Sequence, residues 1–277
     1  MQKMKSEIIT SLQNSRVKQA VRLRDRGPRD KSDLFLIEGY RELVRSVDAS
    51  RRIEILFICP ELFLGENEEK LIKRIVDQGA LLYTCTKEVF SKISYRDRPD
   101  GLLAIAPQLH LKLDQVEVKD SPLFIVAEAI EKPGNLGTIL RSSDAVGCDA
   151  VIVCDRCTDI HNPNVVRASV GTLFTLPVVE ASSEETLKWL RKKGICILAA
   201  TPSAEKDYTE VDMTVPLAIA VGTEQLGLTD LWMKQADLQV RIPMYGVADS
   251  LNVATATTLL LYEARRQRKI DGLHSHK

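Results

Sequence analysis

The sequence predicts an α/β protein of two units, a smaller amino-terminal α/β unit followed by a domain built on a parallel sheet. Three observations predict this. The chain has 277 residues, 44% of them hydrophobic and 27% charged, which is the composition of a globular protein with enough length for two cores. From residue 122 onward, short and almost wholly apolar runs alternate with helix-like stretches, the pattern of parallel strands buried on both faces. Before that point the alternation is weaker, and the polar stretch QLHLKLDQVEVKDSP (108–122) lacks strong periodicity, so the domain boundary falls there. The expected division is 1–107, a linker over 108–121, and 122–277.

In the first segment, RVKQAVRLRDR (16–26) spaces Val17, Ala20, Val21 and Leu23 at roughly helical intervals among basic residues, which predicts an exposed amphipathic helix. DLFLIEGYRELVRSV (33–47) passes from an apolar run into a helix with Leu43, Val44 and Val47 on one face. IEILFICP (53–60) has the character of a buried strand, EEKLIKRIVDQG (68–79) of a helix closed by Gly79, and ALLYTCT (80–86) of another strand. YRDRPDGLLAIAP (95–107) supplies a charged turn and a last strand.

In the second segment the apolar runs PLFIVAEAI, AVIVC, FTLPVV, GICILAAT and LAIAVGT predict strands, and 184–193 predicts a helix between two of them. The stretch SLNVATATTLLLYEARRQR (250–268) is apolar nearly all round and ends in basic residues, so it reads as a buried helix whose last turn suits the helix dipole.

Composition narrows the chemistry. The formal net charge is zero, but residues 1–52 hold 13 Lys and Arg against 7 Asp and Glu. Arg16, Lys18, Arg22, Arg24 and Arg26 could track phosphates, or could form an ordinary solvated helix face. Six cysteines in a chain of this length make no disulfide scaffold, and Cys154 and Cys157 are a lone CxxC without the second pair of a zinc site. No metal is expected. No run of 18 apolar residues occurs and MQKMKSEIIT lacks a signal-peptide core, so a cytoplasmic setting without membrane contact is the expectation.

Three loops that follow strands carry the candidate chemistry. In GNLGTILRSSDAVG (134–147), Gly134 and Gly137 remove side chains where a ligand or backbone could approach, and Asn135 is a plausible helix cap. At roughly 100° per residue, Leu136, Ile139, Leu140 and Val146 share one arc and Arg141 falls outside it, free for a surface ion pair or for a ligand. In LAIAVGTEQLGLTD (217–230), a buried strand ends in Gly222, Thr223 and Glu224, where open α/β sheets bind ligands. Neither loop matches GxGxxG, which disfavours a dinucleotide-dependent oxidoreductase. In RIPMYGVADSLNVATATTLLLYEARRQR (241–268), Ser250 and Asn252 stand at the mouth of the apolar helix. Ser250 could be its cap, whereas Asn252 needs other partners if buried.

The order and spacing of NLGTILRSSDAVG, VGTEQLGL and RIPMYGVADSLNVATATTLLLYEARRQR resemble the three signature motifs of the SpoU/TrmH branch of the SPOUT RNA methyltransferases, over about residues 122–268. NPNVVRASVGTLFTLPV (162–178) fits the same family. More loosely, FLIEGYRELVRSV and RPDGLLAIA are similar to the ribosomal-protein-like substrate-binding domain that many members carry.

The resemblance implies a SPOUT domain with a deep carboxyl-terminal trefoil knot, an arrangement that general chain rules would not suggest. It implies S-adenosylmethionine as cofactor, held largely by backbone groups of Thr201, Gly222, Ile242 and Leu251, and a working homodimer. It also implies transfer of a methyl group to a ribose 2′-hydroxyl of RNA, with Asn135, Arg141, Glu224, Ser250 and Asn252 as functional residues. Ribosomal RNA is expected over transfer RNA because of the added first domain. The competing readings are a transfer-RNA enzyme and an RNA-binding protein of this fold without catalysis.

Overall fold

The computed structural model describes residues 6–155 and 157–268. In chain order the described elements are β1 (Glu7–Ile9), α1 (Ser15–Arg22), α2 (Arg26–Ser32), β2 (Leu34–Glu38), α3 (Tyr40–Asp48), β3 (Ile55–Ile58), α4 (Glu68–Asp77), β4 (Leu81–Cys85), α5 (Lys87–Ile93) and β5 (Leu102–Pro107). They continue as β6 (Leu123–Glu128), α6 (Pro133–Val146), β7 (Ala150–Cys154), α7 (Pro163–Ala168), β8 (Val178–Ala181), α8 (Ser183–Lys192) and β9 (Cys196–Ala200). The remaining described elements are β10 (Lys206–Asp207), β11 (Leu217–Val221), α9 (Asp230–Gln235), β12 (Leu238–Arg241) and α10 (Val253–Gln267).

Two compact units form. The first comprises the chain up to Leu109 together with Asp159–Thr175, and the second comprises His110–Thr158 and the chain from Leu176 onward. This differs from the linear division in two places. Residues 159–175 pack with the first unit because their chemistry is completed there. Asp159 accepts from Arg29 Nη2 at 2.8 Å with both side chains almost wholly buried, and a charge buried in this way needs its partner. His161 Nε2 accepts from the Leu109 amide at 2.8 Å, and its ring meets Phe35 edge-on with centroids 4.9 Å apart. The expected linker is also part of a folded body: Leu111 bridges to Val179, and Leu113 and Val118 pack on the second unit's core.

Within the first unit the sheet order is β1-β4-β3-β5-β2. β1, β4 and β3 run parallel, while β5 is antiparallel to both β3 and β2. The expected helix over 16–26 is two helices: α1 buries Val17 and Ala20, and α2 starts at Arg26 with Pro28 in its first turn, where a missing amide donor costs little.

The second unit holds a sheet of order β10-β12-β9-β11-β6-β7-β8, with every pairing parallel. Its central strands β6, β7 and β11 are buried at every residue, as their almost wholly apolar runs require. Each buried Leu, Ile or Val there contributes about 1.5–3 kcal/mol of transfer free energy. The FTLPVV run is strand only from Val178, because residues 172–174 form a short 3-10 turn.

α10 packs on α6, and Ser142 Oγ lies 2.7 Å from Thr258 Oγ1 between them. The buried face of α6 is Leu136, Ile139, Leu140 and Val146, the arc expected from the sequence, with Arg141 exposed. α10 buries Leu260, Leu261 and Ala264 but leaves Leu259 39% and Tyr262 54% exposed, so it is one-sided rather than wholly buried. Arg268 tethers its end by donating to the carbonyls of Ser121, Pro122 and Val215.

Candidate active site

The carboxyl ends of β9, β11 and β12 feed loops that line a single cleft of about 360 Å³. Thr201, Gly222, Ile242 and Leu251, the four residues expected at the cofactor, all line it, as do Glu224 and Ser250. Volumes of this order are normal for small-molecule sites.

The β11 loop explains its own glycine. Thr223 and Gly227 exchange backbone hydrogen bonds (Thr223 N to Gly227 O, 3.0 Å; Gly227 N to Thr223 O, 3.1 Å), closing a tight turn. A Cβ on Gly222 would lie 2.2 Å from Gly227 O, so only glycine allows this closure. Buried Glu128, at the end of β6, accepts from the Thr229 amide at 2.8 Å and the Thr229 hydroxyl at 2.7 Å, fixing the exit of the same loop.

Beside the cleft, three of the expected functional residues meet. Asn135 Nδ2 donates to Glu224 Oε1 at 2.6 Å, Asn252 Nδ2 donates to the same oxygen at 2.8 Å, and Asn252 Nδ2 also donates to Asn135 Oδ1 at 3.1 Å. The other Glu224 oxygen, Oε2, accepts from Lys132 Nζ. Donation by Lys132, then by Asn135, holds the Glu224 carboxyl below the usual carboxylate range. Asn252 Oδ1 accepts from the amides of Ala254 and Thr255, so Asn252 is the cap of α10 while its amino group ties α10 to α6 and to the β11 loop.

Three sequence expectations change here. Asn135 is not a cap: α6 begins at Pro133 after Lys132, which places Asn135 within the first helical turn. Ser250 is not the cap of α10, because Asn252 occupies that position and Ser250 stays in the exposed loop. An added Cβ on Gly134 would meet nothing within 4 Å, so no close approach dictates glycine there.

Arg141 is exposed and its guanidinium makes no hydrogen bond or ion pair among the described residues. Sequence reasoning missed Lys132, whose place before a proline gives no signal beyond an ordinary surface lysine, and Glu128, which looks like the polar end of a strand. Of the expected RNA-contacting set, Lys18 and Arg22 are exposed along one side of α1. Arg16 Nη1 donates to Gln19, Arg24 donates to the carbonyls of Lys92 and Ser94, and Arg26 pairs with Asp30 at 3.5 Å. Burial pushes the Cys154 thiol up to about 12, which suits an inert core cysteine. Among the described residues no group of three or more His, Cys, Asp or Glu could hold a metal ion, and no helix is long and apolar enough to cross a membrane.

A parallel sheet whose strand-end loops gather into one small-molecule cleft, with a free guanidinium and a carboxamide–carboxylate cluster in the same unit, defines a cofactor-binding α/β protein. More particularly, the chain belongs to the SpoU rRNA methylase family, whose model matches residues 122–262. An MRM3-like substrate binding domain matches residues 14–104. The chain is 31% identical to a 23S rRNA (uridine-2′-O)-methyltransferase of Streptomyces viridochromogenes, over 89% of this chain and 87% of that protein. It is 28% identical to the 23S rRNA (guanosine-2′-O)-methyltransferase RlmP of Bacillus subtilis, over 93% and 98%. The crystal structure of an AdoMet-bound rRNA methyltransferase from Sinorhizobium meliloti superposes with a TM-score of 0.87 at 31% identity, covering 94% of this chain and 98% of that one.

Proposed function

We propose that this protein transfers a methyl group from S-adenosylmethionine to a ribose 2′-hydroxyl of ribosomal RNA. The observation that carries this reading is the convergence of Thr201, Gly222, Ile242 and Leu251 on one cleft, next to the Asn135–Glu224–Asn252 cluster. Family membership and the two named 23S rRNA 2′-O-methyltransferases support the reaction and the RNA class over a transfer-RNA substrate.

The cofactor fits the residues present. The cleft is lined by the glycine-bearing turn at 222–227 and by backbone-rich loops at 200–202 and 249–251, with Leu226 and Met244 as apolar walls. When bound, S-adenosylmethionine supplies an electrophilic methyl group on a sulfonium. The chain's own residues then have three tasks. Glu224 acts as an acceptor that orders both carboxamides, fixing the 249–252 loop against α6. Arg141, exposed and unpartnered, has the task of binding the target nucleotide's phosphate and of favouring the alkoxide form of the hydroxyl electrostatically. A guanidinium holds its proton in neutral water and is a poor base, so stabilisation of charge is the better role. Glu224 is itself committed to Lys132, Asn135 and Asn252. Ser250 lies on the cleft lining, where it can hold the nucleotide or the loop.

In this reading the chain works in the cytoplasm as a homodimer with a trefoil knot in its carboxyl-terminal segment. The exposed apolar side chains Leu226 (88%), Tyr245 (94%), Val247 (103%) and Tyr262 (54%) support burial against a second copy. Lys18 and Arg22 on α1 support RNA contact by the first unit. The test is incubation of the purified protein with methyl-labelled S-adenosylmethionine and total ribosomal RNA. Label in the RNA is expected. Cofactor binding without transfer to RNA or to ribosomal particles would favour the non-catalytic RNA-binding alternative.

A further inference from the structure

The first unit holds a second and larger cleft, of about 530 Å³, to which the proposed reaction assigns no role. Tyr40 and Arg41 from the start of α3, Asn67 and Glu68 at the start of α4, Arg96, and Arg167 of α7 line it. Its charges fall into two groups with different states.

The inner charges are already engaged. Arg96 Nη2 donates to Glu42 Oε1 at 2.6 Å and to Glu38 O at 2.7 Å, and Asp100 Oδ2 lies 3.7 Å from Arg96 Nη1 while accepting from the Tyr40 amide at 2.8 Å. Glu68 Oε1 accepts from the Leu64 and Gly65 amides at 3.2 and 2.8 Å. The chain has shaped itself around this lock: Gly39 has φ +112°, and a Cβ there would sit 2.2 Å from Arg96 Nη2. The outer charges are not engaged. Arg41 and Arg167 are exposed, and neither guanidinium has a hydrogen-bond or ion-pair partner among the described residues.

Two features set the class of ligand. The pair of unpartnered guanidiniums asks for an anion, and phosphodiester oxygens match their forked donors. Beside them Tyr40 and Leu64 line the cleft, Leu64 82% exposed, an aromatic ring and an apolar side chain that suit the face of a base rather than a bare anion. Phosphate together with a stacking base is a nucleotide. We propose that this cleft seats a nucleotide of the RNA substrate outside the methylated one, with Arg41 and Arg167 on its phosphate and Tyr40 and Leu64 beside its base.

The proposal rests on the RNA-methyltransferase reading above, and its test separates the two. The full chain and an Arg41→Ala/Arg167→Ala variant are titrated into deproteinised 23S rRNA carrying a fluorescent end label, over a series of salt concentrations, and S-adenosylmethionine binding is measured on both. Wild type binds the RNA; the variant binds it roughly tenfold or more weakly, with a salt slope shallower by about 1 to 2, as expected for two lost phosphate contacts. Cofactor affinity is unchanged. A short oligoribonucleotide competes with the labelled RNA at concentrations where inorganic phosphate does not; equal competition by phosphate would reduce the cleft to an anion site and overturn the nucleotide assignment. Unchanged RNA affinity and slope in the variant overturn the cleft's role and leave the methyltransferase reading standing. If wild type binds the cofactor but no RNA, both readings fall.

Discussion

Asn252 Nδ2 donates to Glu224 Oε1 at 2.8 Å while Asn252 Oδ1 caps α10, so one side chain both starts the last helix and ties it to the loop after β11. That dual engagement separates two substitutions. Asn252→Ala removes the cap and the bridge and should cost about 1 kcal/mol of stability, read as a lower denaturant midpoint. Asn252→Asp keeps a competent cap but sets a second carboxylate against Glu224. It should hold most of the stability and still lose methyl transfer.

The tight turn after β11 leaves no room for a side chain at Gly222. Gly222→Ala must displace Gly227 O, which a new Cβ would approach to 2.2 Å. Overpacking of this kind costs roughly 1–3 kcal/mol, and the displaced turn lines the cofactor cleft. Calorimetry should show a large loss of S-adenosylmethionine affinity; retained affinity would mean that the turn does not shape the cofactor site.

Arg141 is expected to contribute to reaction and not to folding. Because it is exposed and unpartnered, Arg141→Ala should leave stability within about 0.5 kcal/mol of wild type. Its methyl transfer should fall by about 10² or more, with cofactor affinity unchanged, as for loss of a preorganised charge-stabilising donor. Arg141→Lys should recover part of that loss if point charge suffices, and little if the planar fork is needed.

The depressed Glu224 carboxyl gives a pH test. A carboxyl whose pKa is lower in the folded protein adds stability above its ordinary value of about 4.5 and loses it only as pH falls through the depressed value. The Lys132–Glu224 pair should therefore survive through the ordinary carboxylate range. Lys132→Ala removes the first cause of the depression and should move the Glu224 titration upward, which carbon-detected NMR of the side-chain carboxyl can follow.

Much of this was legible in the sequence because burial leaves a record there. The runs that become β6, β7 and β11 are apolar at nearly every position since both sheet faces are covered, and the Leu136, Ile139, Leu140 and Val146 arc left Arg141 outside the core. Two of the three glycine-bearing stretches, 217–230 and 241–268, supply residues of the cofactor cleft, and at Gly222 a close backbone approach does require glycine.

Other features left no local record. Ser250 and Asn252 are both good capping residues two positions apart, and only the path of the loop decides between them. Residues 159–175 sit in the second half of the chain yet pack with the first unit, because Asp159 finds Arg29 from 130 residues away. Spacing within a segment cannot report such a partner. Lys132 reads as solvent-facing from sequence, and its meeting with Glu224 depends on α6 and the β11 loop being adjacent.

The most direct measurement is nucleoside analysis of ribosomal RNA, from a strain lacking this protein, after incubation with methyl-labelled S-adenosylmethionine and either wild type or Arg141→Ala. The account predicts label in a single 2′-O-methylated nucleoside with wild type and a loss of that label with the variant. Label in a base-methylated nucleoside, or equal labelling by the Arg141→Ala protein, would contradict it.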